Sequence, residues 1–210
     1  MPYVLYTPST AEESDSIPLI VWLHGGGEVG VGATSLLNSG LLKTLNEWSL
    51  EGFNAYVLCP HLSWKWIGNW SSQSAVNNVR DLLDMIIENY NIDTDHIIIT
   101  GHSLGGDGAA YMAWKLPEYF SKLVVLSGFQ SYANRDEITI PTIGYVGTVR
   151  CGESSGSVYY MTNTFAAIFG EENTFSIESS HASVPHDAFN EDKDGNNRSD
   201  VIEWMFADIN

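Results

Sequence analysis

With 210 residues, 44% of them hydrophobic and 12% aromatic, the chain can bury a substantial core and is expected to form one domain over residues 1–210. Nine basic against 26 acidic residues give a formal net charge of −17, which argues against a nucleic-acid or anionic-membrane surface and disfavours anionic substrates. No apolar window approaches the roughly 18 residues of a membrane span, and no basic-then-apolar leader is visible. The two cysteines, Cys59 and Cys151, make no disulfide framework and read as buried free thiols. A cytoplasmic location is expected, with secretion open for a chain whose leader has been trimmed.

In chain order, Tyr3–Tyr6 alternates and reads as a short strand, followed by a polar turn from Ser9 to Ser16. Pro18–Leu23 is a continuous apolar run, hence a buried strand, and it ends at His24-Gly25-Gly26-Gly27-Glu28. Leu37, Leu41, Leu45 and Trp48 have helical spacing over Leu36–Trp48, closed by Gly52. Asn54–Pro60 is the next strand, and Trp64, Trp66 and Trp70 crowd the polar loop from His61 to Ser72. Ser74–Tyr90 is an amphipathic helix, with Val76, Val79, Leu83, Ile86, Ile87 and Tyr90 on one side. Further strands are expected at Ile97–Ile99, Leu123–Leu126, Ile140–Val146 and Phe175–Glu178, and helices from Asp107 to Leu116, Val158 to Phe169 and Val201 to Ala207. Strands alternating with helices predict an α/β fold: a mostly parallel sheet of about seven strands, helices on both faces, and no insertion long enough for a lid domain.

The stretch Gly101-His102-Ser103-Leu104-Gly105 falls where the strand ending at Ile99 turns into a helix. In that setting G-x-S-x-G holds a serine in a strained backbone conformation with Oγ exposed, while the helix N-terminus offers N–H groups to a developing oxyanion. Side chains at Gly101 or Gly105 would collide with the neighbouring strand or helix. Ser103 is therefore the candidate nucleophile.

A serine nucleophile needs a base, an orienting acid and an oxyanion hole. After the last strand the chain offers His181 and His186; His186, in Val184-Pro185-His186-Asp187-Ala188-Phe189, has the reach to curl back over the serine from its loop, and is preferred. For the acid, Glu153 is the only carboxylate in the loop Gly147–Ser157, with Asp136 and Glu137 after the preceding strand as rivals. The oxyanion donors are expected to be the N–H groups of Leu104 and of Gly26, favoured over Gly27 in the His24–Gly27 turn. A phosphate cradle is a poor reading of these glycines, because the Lys and Ser/Thr of a P-loop are missing. His24 and His102 flank the same region and read as hydrogen-bonded structural residues, with His102 also beside the substrate.

Taken together, His-Gly-Gly-Gly, Tyr-Asn-Ile-Asp-x-Asp-x-Ile-x-x-x-Gly-His-Ser-Leu-Gly-Gly and the late His-Asp-Ala-Phe resemble the α/β-hydrolase superfamily. Within it the chain looks like the small lidless esterases: phospholipase/carboxylesterase, feruloyl esterase and polyhydroxybutyrate depolymerase relatives. The resemblance runs from Tyr3 over nearly the whole chain. It implies a serine carboxylesterase working through an acyl-enzyme, with a small-molecule ester as partner and no cofactor. It departs from the family where the usual Gly-x-x-Asp aspartate is replaced by Arg150, and in lacking room for a hairpin before Tyr3.

Trp64, Trp66 and Trp70 either wall the substrate pocket, favouring an aryl or sugar-linked ester, or pack beneath the loop. Asp192, Asp194, Asn196, Asp200 and Glu203 place oxygen ligands at positions 1, 3, 5, 9 and 12 of an EF-hand-like loop, a calcium option weakened by Asn at position 6 and Ser at position 8. Asp200 and Glu203 equally make a capping box for the last helix. A lysophospholipase or peptidase of the same fold, and a non-catalytic hydrolase-fold binding protein, are the alternative functions; oligomeric state is not legible.

Overall fold

The computed structural model describes residues 1–48, 53–63, 69–128, 137–149, 165–180, 182–193, 195 and 199–208. Seven strands form one sheet in the order β1-β3-β2-β4-β5-β6-β7: β1 (Tyr3–Tyr6), β2 (Ile17–Leu23), β3 (Tyr56–Pro60), β4 (Ile92–His102), β5 (Lys122–Leu126), β6 (Thr142–Val149) and β7 (Thr174–Ser180). All neighbours pair in parallel except β1, which runs antiparallel to β3 at the edge. The helices are α1 (Gly40–Trp48), α2 (Gln73–Asn89), α3 (Leu104–Lys115), α4 (Val184–Asn190) and α5 (Asp200–Phe206), and residues 165–169 are also helical.

The continuous apolar runs follow from burial on both faces. Leu19, Val21, Ile97, Ile99, Leu123 and Val125 point to one side, against Val76, Val79, Leu83 and Ile86 of α2 and Ala109 and Met112 of α3. The intervening residues, Ile20, Trp22, Ile98, Val124 and Leu126, point to the other, against Leu41 and Leu42 of α1, Val184, Ala188 and Phe189 of α4, and Val201 and Met205 of α5. Cys59 lies in this second core, and burial pushes its thiol well above the usual range. Cys151 lies outside the described residues.

Several boundaries shift for identifiable reasons. The helix expected over Leu36–Trp48 is two elements, a 3₁₀ turn at Ala33–Asn38 and then α1, broken at Gly40. Gly40 has φ +52°, and a Cβ there would sit 2.0 Å from the Trp22 indole. The strand expected at Ile97–Ile99 extends from Ile92 to His102, so the polar segment before it already lies in the sheet, with Ile92 beside Ile17. α2 starts at Gln73 because the Ser72 hydroxyl accepts a hydrogen bond from the Ala75 N–H. Of the helix expected at Val158–Phe169, residues 165–169 are helical and the earlier part lies outside the described residues.

The end of the chain corrects two readings. His186 lies on a helix, α4, and not on a loop; Pro185 in its first turn fits a helix start, while Val184, Ala188 and Phe189 supply the buried side. α5 is capped by the Ser199 hydroxyl accepting from the Ile202 N–H, not by an Asp200–Glu203 box; the Asp200 carboxylate accepts from the Lys193 N–H instead. At its other end, the Lys122 ammonium, buried beneath α5, donates to the carbonyls of Trp204 and Met205.

β4 sits at the centre of the sheet, and the backbone beyond it is packed without slack. A Cβ on Gly105 would lie 1.9 Å from the Leu23 carbonyl oxygen, and one on Gly101 would lie 2.3 Å from the Gly105 carbonyl oxygen. Neither obstacle is a side chain that can swing away. Gly105→Ala should therefore cost about 3 kcal/mol or more of stability, or prevent folding. Urea unfolding is the check; a midpoint within experimental error of the wild type would contradict the packing described.

Candidate active site

The parallel sheet delivers the carboxyl ends of β2, β4 and β7 to one edge, and each carries a candidate residue or leads into one. After β4 the backbone reaches Ser103 at φ 54°, ψ −118°, then enters α3 at Leu104. A positive φ is unfavourable for a serine, and strain of this kind costs on the order of 1–3 kcal/mol. It is held by the Ser103 N–H donating to the Leu126 carbonyl at 2.9 Å and by the Asp107 N–H donating to the Ser103 carbonyl at 3.0 Å. The Gly101 and Gly105 contacts close the turn from the other sides.

After β2 the chain makes a 3₁₀ turn at Gly26–Glu28. Gly26 and Gly27 face open space, with no atom within 4 Å of where a Cβ would stand, so another molecule can approach this backbone closely. A turn start and a helix start each leave N–H groups with no acceptor within their own element, here at Gly26 and at Leu104.

Beneath the glycine turn lies His24, fully buried. Its Nε2 must accept, because its partner is the Leu62 N–H at 3.0 Å; the hydrogen is therefore on Nδ1, which donates to the Gly25 carbonyl at 2.7 Å. Burial lowers its pKa from 6.5 to about 4, with the Gly25 carbonyl opposing and His61, 5.3 Å away ring to ring, adding to the effect. The Trp70 indole packs edge-on against the His24 ring and donates to the His24 carbonyl at 3.0 Å. Trp70 is fully buried and stands against Gly108 of α3, so of the two readings of the tryptophan loop the packing one holds for this residue. Trp64 and Trp66 lie outside the described residues.

Ser103 and His186 line one cavity of about 780 Å³, together with Gly25, Gly26, Gly27, His102, Trp22, Pro185 and Asp187. The Ser103 hydroxyl and the His186 ring face this space without a hydrogen bond between them among the described contacts. Such bonds often tighten only when substrate is present. His186 Nδ1 lies 2.8 Å from Asp187 Oδ1, both side chains being 36% exposed. An ionised carboxylate only accepts, so Nδ1 carries a hydrogen and a neutral ring keeps Nε2 as an acceptor. Burial raises the Asp187 pKa, but hydrogen bonds from His186 and Ser179 and the charge of His186 more than offset it, leaving the carboxyl below its usual range.

Asp187 was not among the expected site residues, yet it contacts His186 and lines the cavity. Its signal was its place next to the candidate histidine, in the first turn of a helix where acidic residues are favoured. Of the expected acids, Glu153 and Asp136 lie outside the described residues. Glu137 accepts from the Trp114 indole at 2.7 Å beyond the far end of α3, and it does not line the cavity. His181, the rival base, lies outside the described residues, as do Asp194 and Asn196 of the calcium option. Asp192 accepts from the Gly195 N–H at 2.8 Å. Among the described residues no three His, Cys, Asp or Glu side chains are placed to hold a metal ion, and no helix is long and apolar enough to cross a membrane.

The central elbow, the sheet order and the helices on both faces define a chain of the α/β-hydrolase fold. The chain belongs to the Esterase family, whose model, described as "Putative esterase", matches residues 63–200. It superposes on a thermostable esterase with TM-score 0.72 and 20% identity, over 98% of this chain and 58% of the other, so it spans well under two thirds of that protein's length. Est1E from Butyrivibrio proteoclasticus, solved with ferulic acid bound, gives TM-score 0.57 and 14% identity over 84% of each chain. An acetyl xylan esterase from Aspergillus awamori gives 0.57 and 18% over 80% of this chain and 74% of its own. At these identities the likeness is one of fold. No curated protein matches the chain in sequence.

The buried His24 predicts how stability depends on pH. Its folded pKa of about 4 lies below the unfolded 6.5, so protons bind the unfolded chain more readily. Its contribution is complete above pH 6.5, is lost as the pH falls from 6.5 to 4, and amounts to about 3 kcal/mol. In His24→Gln the fall in melting temperature over that interval should be shallower than in the wild type. Parallel curves would mean that His24 titrates normally in the folded protein.

Proposed function

We propose that this protein is a serine carboxylesterase acting on a small or aryl- or sugar-linked carboxylic ester through an acyl-enzyme. The observation that carries the reading is the strained Ser103, at φ 54°, opening into the same cavity as His186. Strain of this kind persists only where the surrounding packing overdetermines it, and it is concentrated at functional sites. Membership of the Esterase family supports the reaction class, and Est1E with ferulic acid bound and the acetyl xylan esterase, both of the same fold, make aryl and sugar-linked esters the first substrates to try.

In this reading Ser103 Oγ attacks the ester carbonyl carbon as His186 Nε2 takes the hydroxyl proton. The carbonyl electron pair moves onto oxygen, and the N–H groups of Gly26 and Leu104 receive the oxyanion. Collapse of the tetrahedral species expels the alcohol, which carries away the proton held by His186. Water then attacks the Ser103 ester by the same route, releasing the acid and restoring the hydroxyl. The Leu104 N–H belongs to backbone fixed by the packing at Gly105, and the Gly26 N–H follows Gly25, whose carbonyl is held by His24, so little reorganisation is needed as charge develops. His102 stands beside the reacting atoms on the cavity wall.

Removing the hydroxyl alone should abolish the reaction. In Ser103→Ala, turnover of p-nitrophenyl esters, methyl ferulate and acetylated xylan should fall by on the order of 10⁴-fold or more, with melting unchanged or raised as the side-chain demand on the strained turn is relieved. A fluorophosphonate should label the wild type at Ser103 and leave the variant unlabelled. Comparable turnover in both proteins would refute the proposal.

A further inference from the structure

The loop that carries the orienting carboxylate in the resembling esterases has Arg150 in place of the aspartate, yet His186 has a carboxylate on its Nδ1. We propose that Asp187, adjacent to His186 in the first turn of α4, is the carboxylate that positions the His186 ring. This rests on the serine esterase reading above and deepens it.

Three observations place Asp187 in that role. Its Oδ1 is 2.8 Å from His186 Nδ1, within the range of a charge-assisted hydrogen bond. Its carboxylate stands near Ser179, buried in β7, which with His186 holds the carboxyl below its usual range. Both Asp187 and His186 line the cavity into which Ser103 opens. The lowered pKa of its carboxyl keeps it ionised through the neutral range, so it stays an acceptor. Among the described residues, the other titratable groups lining the cavity are Glu28, Lys43 and His102.

The arrangement has a structural logic of its own. A carboxylate from a separate loop must be held in place by that loop. Here the carboxylate and the imidazole share one helical turn, whose N–H at Asp187 donates to the Ser183 carbonyl at 2.9 Å. The pairing is therefore set by α4 and its anchor on β7, through Pro185 and the Ala188 and Phe189 packing. The expected consequence is a fixed tautomer, with hydrogen on Nδ1 and Nε2 as the acceptor for the serine proton.

The test uses the full chain with p-nitrophenyl acetate, together with ¹⁵N-labelled histidine. Asp187→Asn keeps the size and removes the charge. It should lower kcat by about 10²- to 10⁴-fold with KM within about threefold of wild type. In the neutral ring, the ¹⁵N shifts of His186 should move from the Nδ1–H tautomer in the wild type toward Nε2–H in the variant. Melting temperature and near-UV circular dichroism show whether the variant is folded. Turnover of Asp187→Asn within about threefold of wild type, or an unchanged tautomer in the folded variant, would overturn the proposal. Collapse of Glu153→Gln beside a fully active Asp187→Asn would overturn it too and give the role to Glu153. An active Ser103→Ala would instead overturn the esterase reading, so the two failures are separable.

Discussion

The packing of Gly105 against the Leu23 carbonyl is the contact on which the site depends. It brings the turn after β4 onto the end of β2 at a separation that excludes even a methyl group. Because β2 and β4 are neighbours in the sheet, the glycine turn after one and the strained serine after the other emerge side by side. No flexible side chain lies in this junction, so the geometry is set by backbone alone. That suits a site proposed to stabilise an oxyanion with fixed N–H groups. It also explains how Ser103 is kept at a positive φ: the surrounding backbone leaves the chain no alternative path.

Behind this junction the structure places groups that support and do not react. His24 ties the glycine turn to the segment after β3, donating from Nδ1 to the Gly25 carbonyl and accepting at Nε2 from the Leu62 N–H, and Trp70 closes the space between that turn and α3. Burial keeps His24 neutral at physiological pH, so one histidine near the candidate site is a structural pin while another, His186, lies open to the cavity. The residue type is shared, and the environment separates the roles. Cys59 follows the same logic, a buried thiol with no access to solvent.

How much of this was readable in the sequence depends on whether the cause is local. The elbow was readable because its rule is steric and confined to five residues, Gly101 to Gly105. The buried strands were readable because Pro18–Leu23 and Leu123–Leu126 leave no polar face, and α2 because its apolar positions recur over four turns. The split at Gly40 was not, because the obstacle there is Trp22 from a distant strand. Helix α4 was missed since seven residues with a proline near the start carry too short a pattern to separate from a loop. The Asp187–His186 contact was not read for a different reason: the two are neighbours in sequence, and the family resemblance directs the search for a carboxylate to the loop one strand earlier. The cap of α5 fell one residue from its expected place because Asp200 is engaged by the Lys193 N–H, which leaves Ser199 to cap.

The central claim is that Ser103 carries the acyl group during turnover. Acid-quenching the wild type during hydrolysis of p-nitrophenyl acetate, followed by intact-mass and peptide mass spectrometry, tests it directly. The account predicts a single acetyl adduct on the peptide containing Ser103, formed in step with a burst of p-nitrophenol equal to the enzyme present. Steady hydrolysis with no adduct, or an adduct on any other residue, would contradict it.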